Sequence, residues 1–202
     1  MTCEKFGVSH DIKYNPKKSA IMIVRSKMFK DSSFPNFSLN NETIRECQEI
    51  KYLGHFLTNN LTDDADIRRQ IRQTYVQANM LLRKFHMCSL DVKIKLFRTY
   101  CSCLYTAQLW WSYKKSTINK LYVAFHNTLK LYVGASKFVS TGLCCALFDV
   151  QCCQSVIRNL VYKFIVRVDT CHNSLICAIL TSSVRYKSNI RKHWQNLLCT
   201  HS

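Results

Sequence analysis

Two hydrophobic periods divide the chain. After residue 62, Ile67, Ile71, Tyr75, Ala78, Leu82 and Phe85 recur at spacings of 4, 4, 3, 4 and 3, which places them on one helical stripe, while Arg68, Arg69, Arg72, Gln73, Arg83 and Lys84 fall largely elsewhere. Thr62, Asp63 and Asp64 offer this helix an oxygen cap and negative charge at its positive N-terminus. Ser89 is placed to cap a second helix running through Trp111, with Leu96, Tyr100, Cys103 and Ala107 on its apolar side. Ile118, Leu121, Tyr122, Phe125, Leu129 and Tyr132 mark a third, stopped by Gly134 where a left-handed residue belongs. Further helices are expected from Ser155 to Val168, Asn173 to Leu180 and Ser188 to Leu198.

The first sixty residues carry shorter, alternating patterns. Cys3 to Val8 reads as the end of a helix, and Asp11 to Tyr14 and Ala20 to Val24 read as strands flanking the turn Asn15-Pro16-Lys17-Lys18, where Pro16 fixes its φ. A second pair joins Phe37-Ser38-Leu39 to Thr43-Ile44 through Asn40-Asn41, which tolerates left-handed backbone, and is followed by a strand from Ile50 to Leu57. The expectation is an α+β fold: four short strands forming a small, partial antiparallel sheet in residues 1–60, then a mostly α-helical bundle over residues 61–202.

Composition narrows the class. Of 202 residues 48% are hydrophobic and 20% charged, enough for a packed core and unlike a disordered chain, while only 4 Gly and 2 Pro argue against linker arrays and turn-dense all-β folds. The charge is uneven. Residues 1–66 hold nine acids and nine bases, whereas the remainder holds twenty bases against Asp91, Asp149 and Asp169, so the whole net charge of +17 lies in the helical part. That asymmetry predicts a polyanionic partner, nucleic acid or an anionic membrane surface, with an ordinary solvated basic face as the alternative. The longest uncharged runs, Thr99 to Tyr113 and Thr170 to Val184, are fifteen residues each, short of the roughly 20 a spanning helix needs. Met1 to Gly7 lacks the basic-then-apolar order of a signal peptide, so an intracellular location, cytoplasmic or nuclear, is expected. There the twelve cysteines should be reduced and mostly buried; the chain has no C-x-x-C, and neither a disulfide framework nor a zinc site is expected.

Catalytic constellations are sparse. Asp63-Asp64, with Asp66, could hold a metal ion, but capping of the following helix accounts for all three. Gly7, Gly54, Gly134 and Gly142 are isolated and form no phosphate loop, and the seven histidines have no nearby nucleophile. What the helical part does carry is cations interleaved with Tyr75, Phe85, Phe97, Tyr100, Trp110, Trp111 and Tyr113. Most of these aromatics lie on apolar stripes and should be core, so Arg68, Arg69, Arg72, Arg83 and Lys84 are the candidates for phosphate contacts.

Several strings in order point to one family. Cys3-Glu4-Lys5-Phe6-Gly7, then Lys13-Tyr14-Asn15-Pro16-Lys17-Lys18-Ser19-Ala20-Ile21-Met22, then Ile50-Lys51-Tyr52-Leu53-Gly54-His55 resemble the late palm of reverse transcriptases from non-LTR, LINE-type, jockey-like retrotransposons. Asn79 to Phe85, Val92-Lys93 through Tyr100-Cys101, and Leu109-Trp110 look like the thumb and C-terminal extension of the same enzymes. The resemblance implies a C-terminal piece of an RNA-directed DNA polymerase, with a partial palm in residues 1–60 and a basic thumb and tail in residues 61–202. It implies that Lys18 lies near the phosphates of an incoming nucleotide as a possible general acid, and that Tyr52, Leu53 and Gly54 form the primer-grip hairpin. The partner it implies is RNA or an RNA–DNA duplex. The intact enzyme would use magnesium, but the segments that hold it lie upstream of the first string, so no cofactor is expected in this chain and no polymerase activity from it alone. Two rivals stand beside this reading: a basic helical module for an acidic protein or membrane surface, and a decayed element copy without selected function, poorly soluble because its palm sheet is cut.

Overall fold

The chain divides between Thr62 and Asp63 into two units, and the computed structural model describes residues 3–25, 34–182 and 188–199.

The N-terminal unit holds helix α1 (Cys3–Ser9), a 3-10 turn at Pro16–Lys18 and six strands of two to four residues: β1 (Ala20–Ile21), β2 (Ser38–Leu39), β3 (Glu42–Thr43), β4 (Arg45–Glu46), β5 (Glu49–Tyr52) and β6 (His55–Thr58). They form three separate two-stranded ladders. β2–β3 and β5–β6 are antiparallel, and β1–β4 is parallel with Ala20 opposite Arg45. Asn40 and Asn41, both at positive φ, make the tight turn expected between β2 and β3.

Two strand expectations fail for local reasons. Residues 11–14 are not a strand, because Asp11 takes a φ of 53° and the Ile12 N–H donates to the Gly7 carbonyl at 2.8 Å, curling the chain back on α1. Gly7 permits that approach: a Cβ there would sit 2.8 Å from both the Ile12 oxygen and the Tyr14 ring. The strand from Ile50 to Leu57 is folded in half, since Leu53 (φ 47°) and Gly54 (φ 84°) make a two-residue turn that pairs Tyr52 with His55. Among the described residues of this unit only Gly7, Leu39 and His55 are buried.

The C-terminal unit is helical: α2 (Asp64–Lys84), α3 (Leu90–Leu96), a π turn (Phe97–Cys101), a 3-10 turn (Ala107–Leu109), α4 (Lys115–Val133), α5 (Thr141–Leu147), α6 (Cys153–Asp169), α7 (Ser174–Thr181) and α8 (Asn189–Cys199). Its core lies chiefly between α2 and α4. Ile67, Ala78 and Leu81 of α2 meet Leu121, Phe125 and Leu129 of α4, with Phe97 set edge-on to Phe125 at 5.5 Å between ring centroids. Gly134 ends α4 at a φ of 69° and the Asn173 side chain caps α7, both as their residue types predict. Trp194 fixes α8 through its ring on Phe164 and an indole N–H donated to the Gln108 carbonyl at 2.9 Å.

The second predicted helix does not reach Trp111. It stops at Leu96, passes through the π turn and unwinds; Thr106 adopts a φ of 85°. From Trp111 on, the segment's backbone donors find their acceptors outside it, as described below. The cysteines also depart from expectation, for of the twelve only Cys101, Cys144 and Cys153 are buried, although all twelve are free thiols. Among the described residues no single helix is long and apolar enough to cross a membrane.

Candidate nucleic-acid interface

The interface candidate is α2, and its N-terminus explains how the helix is held. The three carboxylates do not cap it. Asp63 sits at the cap position with no side-chain capping bond; instead its Oδ2 accepts the backbone N–H groups of Trp111 and Ser112 at 2.9 and 2.8 Å. Asp64 Oδ1 accepts the Lys114 N–H at 3.2 Å. Fully buried Asp66 takes the Arg69 Nε–H at 2.8 Å on Oδ1, and the Thr106 hydroxyl and Trp110 indole N–H at 2.6 and 2.8 Å on Oδ2. After the 3-10 turn the backbone N–H groups of Trp111, Ser112 and Lys114 are therefore spent on Asp63 and Asp64, and Thr106 and Trp110 tie their side chains to Asp66, so this stretch runs along the start of α2 and does not continue a helix.

This use of the carboxylates bears on metal chemistry. A magnesium pair needs carboxylate oxygens converging on one empty point. Here one oxygen each of Asp63 and Asp64 and both of Asp66 are taken by separate protein donors, and among the described residues no group of three or more His, Cys, Asp or Glu could hold a metal ion. The residues do not fit magnesium.

Beyond this anchor α2 turns one stripe to solvent. Arg68 and Arg72 are exposed one turn apart, and Arg83 lies on the same side after about 22 Å of helical rise. Lys84 is exposed on the flank. No acidic residue follows Asp66 in α2. Arg69 is different: it is half-buried, ion-paired to Asp66 and bonded through Nη1 to Gln73 Oε1 at 2.8 Å, so the structure separates it from the other four cations.

Between the cations the stripe is apolar. Tyr75, Val76 and Met80 are 41%, 66% and 45% exposed, and Val76, Asn79, Met80, Arg83 and Lys84 line one shallow depression. Pattern reading missed Val76, Asn79 and Met80 because they stand off the apolar stripe; their i, i+3, i+4 spacing among arginines was the available signal. Of the seven aromatics weighed from sequence, Phe97 and Trp110 are buried, Tyr75 and Tyr100 are exposed, and Phe85, Trp111 and Tyr113 lie between.

The remaining candidates belong to the N-terminal unit. Lys18 is exposed at the end of the 3-10 turn, where its backbone N–H is bonded to Asn15 Oδ1 at 3.2 Å. Tyr52, Leu53 and Gly54 form the tip of the β5–β6 hairpin, with Tyr52 and Leu53 exposed.

Tyr113 and His193 are held toward their neutral forms beside Asp63. Burial, reinforced by Tyr122 and Asp63, pushes the Tyr113 hydroxyl up to about 12. Burial lowers His193 against an opposing pull from Asp63, and the Tyr113 hydroxyl lies 3.1 Å from its Nε2.

Comparison with known proteins gives one informative likeness. The chain is 24% identical over 202 residues to an RNA-directed DNA polymerase from the mobile element jockey of Drosophila melanogaster, a match covering 94% of this chain and 22% of that protein. The chain thus spans about a fifth of the relative's length. No protein-family model matches, and no solved structure matches. The likeness supports a relationship to the reverse transcriptases of non-LTR retrotransposons.

Proposed function

We propose that this chain corresponds to the C-terminal part of a non-LTR retrotransposon reverse transcriptase and binds RNA or an RNA–DNA duplex through α2. The carrying observation is the exposed row of Arg68, Arg72 and Arg83, with Lys84 beside it, on a helix whose N-terminus is fixed by three carboxylates. Cations on a rigid element neutralise phosphates at lower entropic cost than cations on a loop. The likeness to the jockey polymerase along nearly the whole chain supports the assignment. Within it, residues 1–60 read as late palm and primer grip and residues 61–202 as thumb and extension.

The N-terminal unit supports the finer roles by geometry. A solvent-facing hairpin tip carrying Tyr52, Leu53 and Gly54 can approach a primer end closely. Lys18, exposed on a turn braced by Asn15, can offer a proton and positive charge to a leaving pyrophosphate. The carboxylates near α2 are committed to protein donors, so the chain alone binds without polymerising: a primer-extension assay with magnesium should yield no product.

Titration of labelled RNA and RNA–DNA hybrid across salt tests the binding. Contacts with Z phosphates give a log K against log salt slope of about −0.7Z to −0.9Z. A flat dependence, or tighter binding to anionic vesicles at equal ionic strength, would overturn the reading.

A further inference from the structure

We infer that the exposed face of α2, given the nucleic-acid reading on which this rests, takes an unpaired stretch of nucleic acid and seats an unstacked base on the floor formed by Val76 and Met80. The depression combines two chemistries that a duplex cannot satisfy together. Its floor is apolar, Val76 being 66% and Met80 45% exposed, while Arg83 and Lys84 line one end and Arg72 lies one turn before Val76. In a duplex the base faces are covered by their neighbours, and only edges, sugars and phosphates meet a protein. A duplex on this face would satisfy the cations and set charged phosphate against Val76 and Met80.

An unpaired base has an apolar face to bury and flanking phosphates to neutralise, which matches the order of side chains along the stripe. Asn79, in the same depression, carries both an amide donor and a carbonyl acceptor that a base edge can use. Tyr75, 41% exposed and four residues before Asn79, offers a second face for stacking about 6 Å along the helix. With no carboxylate after Asp66 in α2, nothing on the helix repels a strand laid along it.

The test uses the full chain and three probes of equal length at one ionic strength: single-stranded RNA, single-stranded DNA of the same sequence, and the RNA–DNA hybrid. Tighter binding of either single strand than of the hybrid is expected. Val76→Thr with Met80→Gln keeps size and helix propensity but makes the floor polar, and should weaken the single strands about tenfold while leaving the hybrid within about twofold, the loss expected for about 50 Å² of apolar contact. Arg83→Gln should weaken all three probes. Equal binding of strands and hybrid, with the Val76/Met80 variant moving neither, would overturn the inference and leave the phosphate reading standing. Insensitivity of every probe to Arg83→Gln and Arg72→Gln would remove the phosphate reading itself. Circular dichroism of each variant checks that α2 remains folded.

Discussion

The indole N–H of Trp110 reaches back 44 residues to donate to Asp66 Oδ2 at 2.8 Å, and both side chains are buried. The same carboxylate takes Thr106 and Arg69, so one residue in the first turn of α2 sets the course of a loop far along the chain. Removing it leaves three donors without their acceptor in a dry site. Asp66→Ala should cost about 3–5 kcal/mol, and Trp110→Phe about 1–3 kcal/mol, with a coupling of about 0.5–3 kcal/mol in the double mutant because the two share one bond. Urea unfolding followed by circular dichroism measures all three; strict additivity would show that the bond does not form.

The five basic candidates should separate into two kinds. Arg68→Gln and Arg72→Gln should each flatten the salt dependence of RNA binding by about 0.7–0.9 in slope and leave the unfolding midpoint alone. Arg69→Gln should do the reverse, since that guanidinium is bonded to Asp66 and Gln73. A binding titration at four salt concentrations beside a thermal melt distinguishes them.

Leu53 holds a left-handed backbone at the hairpin tip with its side chain in solvent, a combination that costs stability without burying area. Leu53→Asn should stabilise the β5–β6 hairpin by about 1 kcal/mol, and Gly54→Ala should weaken it by a similar amount. Amide hydrogen exchange at β5 and β6 reads both. If the tip grips a primer, Leu53→Asn gains stability and loses affinity for a recessed hybrid end.

Two half-buried histidines give the helical unit an acid limit. Burial lowers His126, with Lys130 adding to it, and burial lowers His193 against the pull of Asp63. Because both folded values lie below the ordinary histidine value of 6.5, the unfolded chain takes up protons first as pH falls. Their contribution is therefore present above about pH 6.5 and is lost progressively below it. Unfolding free energies between pH 7.5 and 5 should fall with acid, and His126→Gln with His193→Gln should shrink that dependence.

What could be read from the chain follows the range of the forces involved. α2 and α4 were legible because their apolar stripes repeat over five turns and bury against each other, and the stop at Gly134 was legible because its cause is local. The loss of helix before Trp111 was not, since Cys103 and Ala107 keep helical spacing and the carboxylates that hold this stretch, Asp63 and Asp64 on its backbone and Asp66 on its side chains, lie far away in sequence. Asp63 and Asp64 looked like caps because an acid at a helix start is usually one; what they bind is decided by tertiary placement. In the N-terminal unit the apolar run through Leu53 reads as one strand by its pattern, and only the family resemblance of Tyr52-Leu53-Gly54 to a hairpin points to the turn. Arg69 resembles Arg68 by type, and only its distance of three residues from Asp66 tells them apart.

The anchoring of α2 also sets the order in which such a chain wears out. Asp63, Asp64 and Asp66 each hold backbone or buried side chains, so their loss costs the fold, whereas Arg68, Arg72 and Arg83 stand in solvent and can drift to neutral residues at almost no cost in stability. Under relaxed selection, related sequences should shed their outward cations while still folding, so that on the proposed reading the affinity for nucleic acid disappears long before the helices do.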